Sequence, residues 1–136
     1  IMLRIVADTN VLISSLLDLG PSKAIFDLWV AQKLIFITSN ELIKELTVTL
    51  GKPRLAKRIP PLESAEFISL IQEKSIIITP SHTINICRDP KDNKVLDAAI
   101  EAKVDCIVTG DSDLLILDTF EDIPIVTPAD FIKRFT

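Results

Sequence analysis

The sequence predicts an α/β protein in which a parallel, roughly five-stranded sheet lies between two layers of helices, a three-layer α/β/α architecture. Short apolar runs rich in isoleucine, valine and leucine alternate with segments of helical spacing. That alternation is typical of βαβ units, whose crossovers cover both faces of a parallel sheet. Hydrophobic residues make up 48% of the chain and the mean hydropathy is +0.38, as expected for buried strands. The 136 residues fit one domain, predicted over residues 2–136.

The first half of the chain opens with an apolar run that stops at the polar cluster Asp8–Thr9–Asn10, as a buried strand and its loop do. The breakers Gly20–Pro21 and Pro60–Pro61 separate the helical segments that follow. Thr38-x-x-Glu41 matches a capping box and predicts the start of a helix. In order, the predicted elements are strand 3–7, helices 11–17 and 22–32, strand 34–37, and helices 41–50 and 63–74.

The second half continues the same alternation of strands and helices. Pro80 ends an isoleucine-rich strand, and Thr127–Pro128 supplies a helix cap followed by proline at the first helical position. Because proline cannot donate to a sheet ladder, Pro124 predicts that its strand lies at an edge. In order, the predicted elements are strand 75–79, helix 92–103, strand 105–109, a short turn 114–117, strand 123–126 and helix 128–135.

Charge and composition narrow the class of protein. The chain carries 15 basic and 19 acidic residues, a net charge of −4, which argues against a broadly basic surface for gripping nucleic acid. The longest charge-free stretch, residues 75–87, is interrupted by Pro80 and falls short of the roughly 18 residues that a membrane span needs. No targeting segment is recognisable at the start of the sequence, so we expect a cytoplasmic protein without membrane association.

Several kinds of site are excluded by what the sequence lacks. The one histidine, His82, and the two cysteines, Cys87 and Cys106, show none of the paired spacings of a zinc site. His82 lies in a predicted loop and is more typical of an inert histidine than of a general base. The three glycines form no phosphate-cradling loop of the GxGxxG or GxxxxGK type. Any catalytic residues are therefore expected to be aspartates or glutamates.

Acidic residues follow two of the predicted strands. Strand 3–7 ends at Asp8, and strand 105–109 leads through Gly110 into Asp111. Ligands bind beyond the carboxyl ends of the strands in open parallel sheets, so neighbouring strands would bring both carboxylates to one rim. Glu45 lies at the margin of the apolar face of helix 41–50, where it either leans over that rim or is solvated.

A further acid is expected near the start of helix 92–103, where Asp92 or Asn93 either caps the helix or joins the rim. Converging carboxylates repel one another and stay ionised only if a cation neutralises them. Oxygen ligands without histidine or cysteine select a hard ion, Mg²⁺ or Mn²⁺. Such a site suits phosphodiester hydrolysis, because metal ions lower the pKa of an attacking water and stabilise the leaving oxygen.

Three blocks of sequence around these acids resemble those of the PIN-domain ribonucleases, over essentially the whole chain. IVADTNVLISSLL resembles the family's first strand with its Asp-x-Asn signature, and SNELIKELTVTLGKPRL resembles its glutamate-bearing helix. CRDPKDNKVLDAAIEAKVDCIVTGDSDLL is similar to the third block, especially in the bacterial and archaeal branch that includes toxins of toxin–antitoxin pairs. The resemblance implies a five-stranded parallel sheet between helices and an endoribonuclease activity.

The resemblance also assigns roles to individual residues. Asn10 and Thr109 match polar positions that support the first and last acids, and Asp113 lies beside them as a further acid. Many members have an Asp where this chain has Asn93, so Asp89 and Asp97 stay open as alternatives for the third acid. The implied catalytic and Mg²⁺- or Mn²⁺-binding set is Asp8, Glu45, Asp92 and Asp111.

RNA binding by an acidic protein requires local positive charge near the site. The chain has no tyrosine, one tryptophan and six phenylalanines, so we expect no platform for base stacking. The partners implied by the resemblance are an RNA substrate, an antitoxin protein and a second copy of the chain. Arg88, Lys91 and Lys94 flank the third acid, and the residues expected to bind RNA are Lys52, Arg54, Lys57, Arg58, Lys91 and Lys94.

Two other functions are compatible with the same acids. A haloacid-dehalogenase-like phosphatase would use Asp8 as nucleophile and residues 110–113 to hold Mg²⁺, but Asn10 stands where that chemistry needs a titratable acid. A non-catalytic RNA- or protein-binding module would instead use the acids to hold a structural ion.

Overall fold

A computed structural model describes residues 2–17, 20–81, 85–87 and 89–136. The strands are β1 (Leu3–Ala7), β2 (Leu34–Ser39), β3 (Ile76–Ile78), β4 (Cys106–Val108), β5 (Thr119–Phe120) and β6 (Ile123–Val126). The helices are α1 (Thr9–Leu16), α2 (Gly20–Val30), α3 (Asn40–Leu50), α4 (Pro53–Ala56), α5 (Pro61–Lys74), α6 (Asn93–Ala102), α7 (Ser112–Leu115) and α8 (Pro128–Phe135). Within these ranges, none of the helices has the length and apolar character needed to cross a membrane.

The strands form one six-stranded sheet in the order β3-β2-β1-β4-β6-β5, with β1 paired in parallel to both β2 and β4. The chain first builds outward from β1 to β2 and β3, and then returns to the other side for β4 and β6. The register aligns Ala7 with Val108, the last residues of β1 and β4. Asp8 and Thr109, which follow these strands, therefore meet at the rim where the strand order reverses, the usual ligand position in such sheets.

The sheet separates two hydrophobic cores, because successive side chains of a strand point to opposite faces. Ile5 and Ala7 of β1 join a core built with α1, α2, α3, α5 and α8. Val6, between them, joins a second core built mainly with α6 and α7. The predicted α/β class and three-layer architecture are therefore confirmed.

The far edge of the sheet differs from the prediction. β5 pairs with β6 in an antiparallel hairpin, so the sheet has six strands and β6 is not at its edge. Positive φ angles at Glu121 and Asp122 form the tight turn between the two strands. Pro124 is tolerated because the parallel register with β4 begins one residue later, at Ile125, so that ladder needs no donor from the proline. The two-residue strand β5 is too short to show a periodic pattern.

Several helices begin at different residues than predicted. The cap of α3 is Ser39, whose Oγ accepts a 3.2 Å hydrogen bond from the backbone of Leu42, so the predicted capping box began one residue early. α1 begins at Thr9, because the Asp8 side chain caps it. The segment between predicted helices 41–50 and 63–74, for which no element was predicted, contains α4, which has proline at its first position.

Candidate active site

A cleft of about 640 Å³ opens at the carboxyl ends of β1 and β4. One wall is formed by α3 with the start of α4, and the other by the segment that leads into α6. The floor is the rim of the sheet, where α1 begins. Acidic and basic side chains line both walls. The lining residues are Asp8, Thr9, Asn10, Glu41, Lys44, Glu45, Val48, Thr49, Lys52, Arg54, Asp89, Lys91, Asp92, Lys94 and Asp111.

Asp8 is held rigidly at the floor of the cleft and is only 6% exposed. Its Oδ1 accepts a 2.8 Å hydrogen bond from the backbone of Thr9, and its Oδ2 accepts one of the same length from Thr109 Oγ1. Its own backbone N–H donates to Val108 on the neighbouring strand. Burial raises the pKa of the Asp8 carboxyl, the two hydrogen bonds lower it, and the charges of Glu45 and Asp111 raise it again.

Asp111 is fixed on the neighbouring strand end through the same threonine. Its backbone N–H donates a 3.0 Å hydrogen bond to Thr109 Oγ1, and its Oδ1 accepts a 2.8 Å bond from the backbone of Asp113. Asp111 is thereby the cap of α7, which turns the chain away from the rim. The Thr109 side chain, completely buried, is thus a polar support shared by the acids on both strands.

Asp92 lies opposite these acids, at the start of α6, and is 8% exposed. It occupies the cap position, but its side chain makes no capping hydrogen bond, and within the described part of the chain its buried Oδ2 has no hydrogen-bond partner. Burial, followed by hydrogen bonding with and repulsion from Asp111, raises the pKa of Asp92 to about 7. Asn93 points elsewhere and accepts a hydrogen bond from the backbone of Cys87. Of the two adjacent residues, the structure therefore directs Asp92 into the cleft.

Three of the carboxylates converge closely enough to share an ion. Ligand oxygens of Asp8, Asp92 and Asp111 lie within 4.8 Å of one another. A second group, Asp89, Asp92 and Asp113, meets the same limit and shares Asp92 with the first. Asp97, the other alternative for the third acid, is in neither group and does not line the cleft as described.

Glu45 lies on the α3 wall and is not part of either group of converging carboxylates in the described chain. Its Oε1 is 3.0 Å from Nζ of Lys94 on the opposite wall, and the side chains of both residues are 24% exposed. Its Oε2 accepts a short hydrogen bond from Thr9 Oγ1. Glu45 is thus connected to Asp8 through Thr9, whose backbone N–H binds Asp8.

The basic residues predicted to bind RNA divide into two sets. Lys52, Arg54, Lys91 and Lys94 line the cleft, whereas Lys57 and Arg58 are exposed beyond α4 and do not line it. Asn10 is an exposed residue of the cleft wall. His82 and Arg88 lie outside the described residues.

Thr9 and Lys44 are among the cleft residues that were not predicted from the sequence. Thr9 was noted only as part of a polar cluster, and the partner of its hydroxyl, Glu45, is 36 residues away. Lys44 precedes Glu45 on α3 and lines the same wall. The position of Thr9 next to Asp8, at the end of a strand, could have indicated a role in the site. Its contact with Glu45 could not be predicted, because only the fold brings α3 close to Thr9.

Comparison with known proteins agrees with the sequence blocks. A family model described as "PIN domain" matches residues 4–113, a range that contains all of the cleft acids. An uncharacterized protein of Methanocaldococcus jannaschii, MJ1680, is 33% identical over 146 residues, which cover 99% of this chain and 93% of the relative. The resemblance to PIN-domain proteins is confirmed, and the chain belongs to the PIN domain family, whose members are generally nucleases.

Proposed function

We propose that the protein is an endoribonuclease that depends on Mg²⁺ or Mn²⁺ held by Asp8, Asp92 and Asp111. One observation carries the proposal: ligand oxygens of these carboxylates lie within 4.8 Å of one another at the floor of the cleft. It is supported by the buried Oδ2 of Asp92, which has no hydrogen-bond partner among the described residues. A buried oxygen without a partner is costly, and a cation would satisfy it.

The donor set fits a hard divalent ion. All the converging ligands are carboxylate oxygens, the type that Mg²⁺ and Mn²⁺ prefer over softer donors. Burial, together with the charges of neighbouring carboxylates, raises the pKa values of Asp8 and Asp92. A cation bound among these carboxylates would favour their ionised forms. When bound, the ion would supply an attacking water of lowered pKa and charge stabilisation for the leaving oxygen.

Other residues of the cleft hold Asp8 in place and supply positive charge for the RNA. Thr109 and the backbone of Thr9 fix both oxygens of Asp8, so that carboxylate needs little reorganisation. Lys52 and Arg54 on one wall, and Lys91 on the other, offer positive charge for the phosphates that flank the scissile bond. RNA is the substrate that we propose, on the basis of family membership and of these cations.

The direct test is cleavage of end-labelled RNA by the purified protein in Mn²⁺ and in EDTA. We expect cleavage at internal bonds in Mn²⁺ alone, and a loss of at least about 100-fold in Asp8→Asn and Asp92→Asn. Asp97→Asn is the matched control, because it removes an acid from α6 outside the converging group. Equal cleavage by wild type and Asp8→Asn would contradict the proposal.

Two outcomes would favour the alternative functions. Release of phosphate from small monoesters, with internal RNA bonds left intact, would support a phosphatase. RNA binding without turnover in either metal would support a binding module with a structural ion.

The homodimer, the antitoxin partner, the cytoplasmic location and a single domain over residues 2–136 stay predictions.

A further inference from the structure

The ion pair between Lys94 and Glu45 crosses the cleft directly above the acidic floor. Nζ of Lys94 is 3.0 Å from Oε1 of Glu45, and neither side chain is fully solvated. Lys94 is two residues from Asp92 on the α6 wall, whereas Glu45 belongs to α3. The contact therefore joins the two walls, unlike the exposed pair of Lys23 and Asp27 within α2.

The ion pair gives Glu45 a different environment from that of the converging acids. Oε1 of Glu45 contacts the ammonium of Lys94, and Oε2 accepts a hydrogen bond from the hydroxyl of Thr9. Both oxygens of Asp8 bind neutral donors, whereas the positive charge of Lys94 competes with a metal ion for Glu45. The acids of the floor converge without Glu45.

Lys94 has the chemistry to leave Glu45 for another anion. A lysine ammonium has three donors, and the contact with Glu45 uses one of them in a cleft that is open to solvent. An RNA phosphate is the anion that the proposed function brings to this cleft. When Lys94 moves from Glu45 to a phosphate, its ammonium remains paired with an anion. The half-buried carboxylate of Glu45 then no longer has a positive charge beside it.

We propose that Lys94 is a positioning residue that binds Glu45 in the free protein and an RNA phosphate in the complex, which releases Glu45 toward the metal ion. This inference rests on the proposed function. As a consequence of this exchange of partners, RNA and metal strengthen each other's binding. RNA draws Lys94 away from Glu45, and the metal ion then neutralises the charge of the Glu45 carboxylate. Linkage makes the effect reciprocal: metal must raise RNA affinity by the same factor by which RNA raises metal affinity.

The test measures binding instead of turnover. Mn²⁺ affinity is determined by calorimetry on the metal-stripped full chain without RNA, for wild type, Lys94→Gln and Lys103→Gln. Lys103→Gln is the matched control, because it removes the same charge from the exposed C-terminal end of α6, outside the cleft. Affinity for a fluorescent 2′-O-methyl RNA, checked for integrity on a gel, is measured by anisotropy in EDTA and in Mn²⁺.

We expect Lys94→Gln to bind Mn²⁺ on the order of tenfold more tightly than wild type, and Lys103→Gln to change the affinity by no more than about twofold. Mn²⁺ should strengthen RNA binding in wild type and in Lys103→Gln, but much less in Lys94→Gln. In the background of Glu45→Gln, removal of Lys94 should no longer raise the Mn²⁺ affinity. If Lys94→Gln does not fold, as judged by circular dichroism, Lys94→Met provides the same comparison.

Two results would overturn the inference. One is a Lys94→Gln variant that binds Mn²⁺ no more tightly than Lys103→Gln, and the other is a gain in affinity that persists with Glu45→Gln. Failure of wild type itself to bind Mn²⁺ would overturn the proposed function and this inference together. Normal Mn²⁺ binding and RNA cleavage by wild type, with no difference between the two lysine variants, would overturn this inference alone.

Discussion

The hydroxyl group of Thr109 donates a 2.8 Å hydrogen bond to Oδ2 of Asp8, although the two residues are 101 positions apart in the chain. Oγ1 of Thr109 also accepts a 3.0 Å hydrogen bond from the backbone N–H of Asp111. One buried hydroxyl thus sets the spacing between acids on two neighbouring strands.

Replacement of Thr109 by valine should both destabilise the protein and weaken metal binding. The isosteric change removes the bonds to Asp8 and Asp111 and leaves buried polar groups without partners, at a cost of about 1–3 kcal/mol in the free energy of unfolding. Urea unfolding and Mn²⁺ titration measure the two effects. Thr109→Ser retains the hydroxyl and should preserve most of the Mn²⁺ affinity. Wild-type values of both quantities in Thr109→Val would refute the shared role of this hydroxyl.

Asp92 should make the stability of the metal-free protein depend on pH. Burial and the neighbouring Asp111 raise its pKa in the folded state to about 7, from an ordinary value of 3.8. Folding therefore favours the protonated carboxyl, and the stabilisation present at low pH is lost as the pH rises toward and through 7. Relative to Asp92→Asn, wild type in EDTA should lose stability between pH 5 and pH 8, as urea unfolding would show. Parallel pH profiles for the two proteins would rule out this titration.

Metal binding should stabilise the fold by mass action. At a free Mn²⁺ concentration about 100 times the dissociation constant, the free energy of unfolding should rise by about 2.7 kcal/mol. The rise should be much smaller in Asp8→Asn, which lacks one of the converging charges. Thermal unfolding in increasing Mn²⁺ measures this. An equal shift in both proteins would place the stabilising ion away from Asp8.

The cations that line the cleft should contribute more to RNA binding than those beyond it. Lys52→Gln or Arg54→Gln should weaken binding and reduce the dependence of log affinity on log salt by about 0.7 per lost phosphate contact to a single strand. Lys57→Gln, which removes a charge outside the cleft, is the control. Anisotropy at several salt concentrations measures both quantities. A larger effect of Lys57→Gln would indicate that RNA binds outside the cleft.

Local pattern was sufficient to predict most of the sheet and the acids at its rim. The apolar run before Asp8 marks a buried strand, and the carboxyl ends of parallel strands share one edge, so Asp8 and Asp111 were expected to meet. The choice of Asp92 relied on family resemblance, because Asp92 and Asn93 have the same capping propensity. Only packing shows that the Asp92 side chain faces Asp111 while Asn93 binds the loop.

The contacts that could not be predicted are those that cross between elements. The bonds of Glu45 to Thr9 and Lys94 depend on how α3 and α6 pack on opposite sides of one rim, which no periodicity encodes. The hairpin of β5 and β6 was missed because it depends on positive φ angles at Glu121 and Asp122, residues that give no strong turn signal.

Anomalous diffraction from a crystal grown with Mn²⁺ tests the proposed metal site most directly. We expect a manganese peak at the floor of the cleft, within ligand distance of carboxylate oxygens of Asp8, Asp92 and Asp111, and no such peak in a crystal of Asp8→Asn. A peak confined to another part of the molecule, with these carboxylates free of metal, would contradict the proposal.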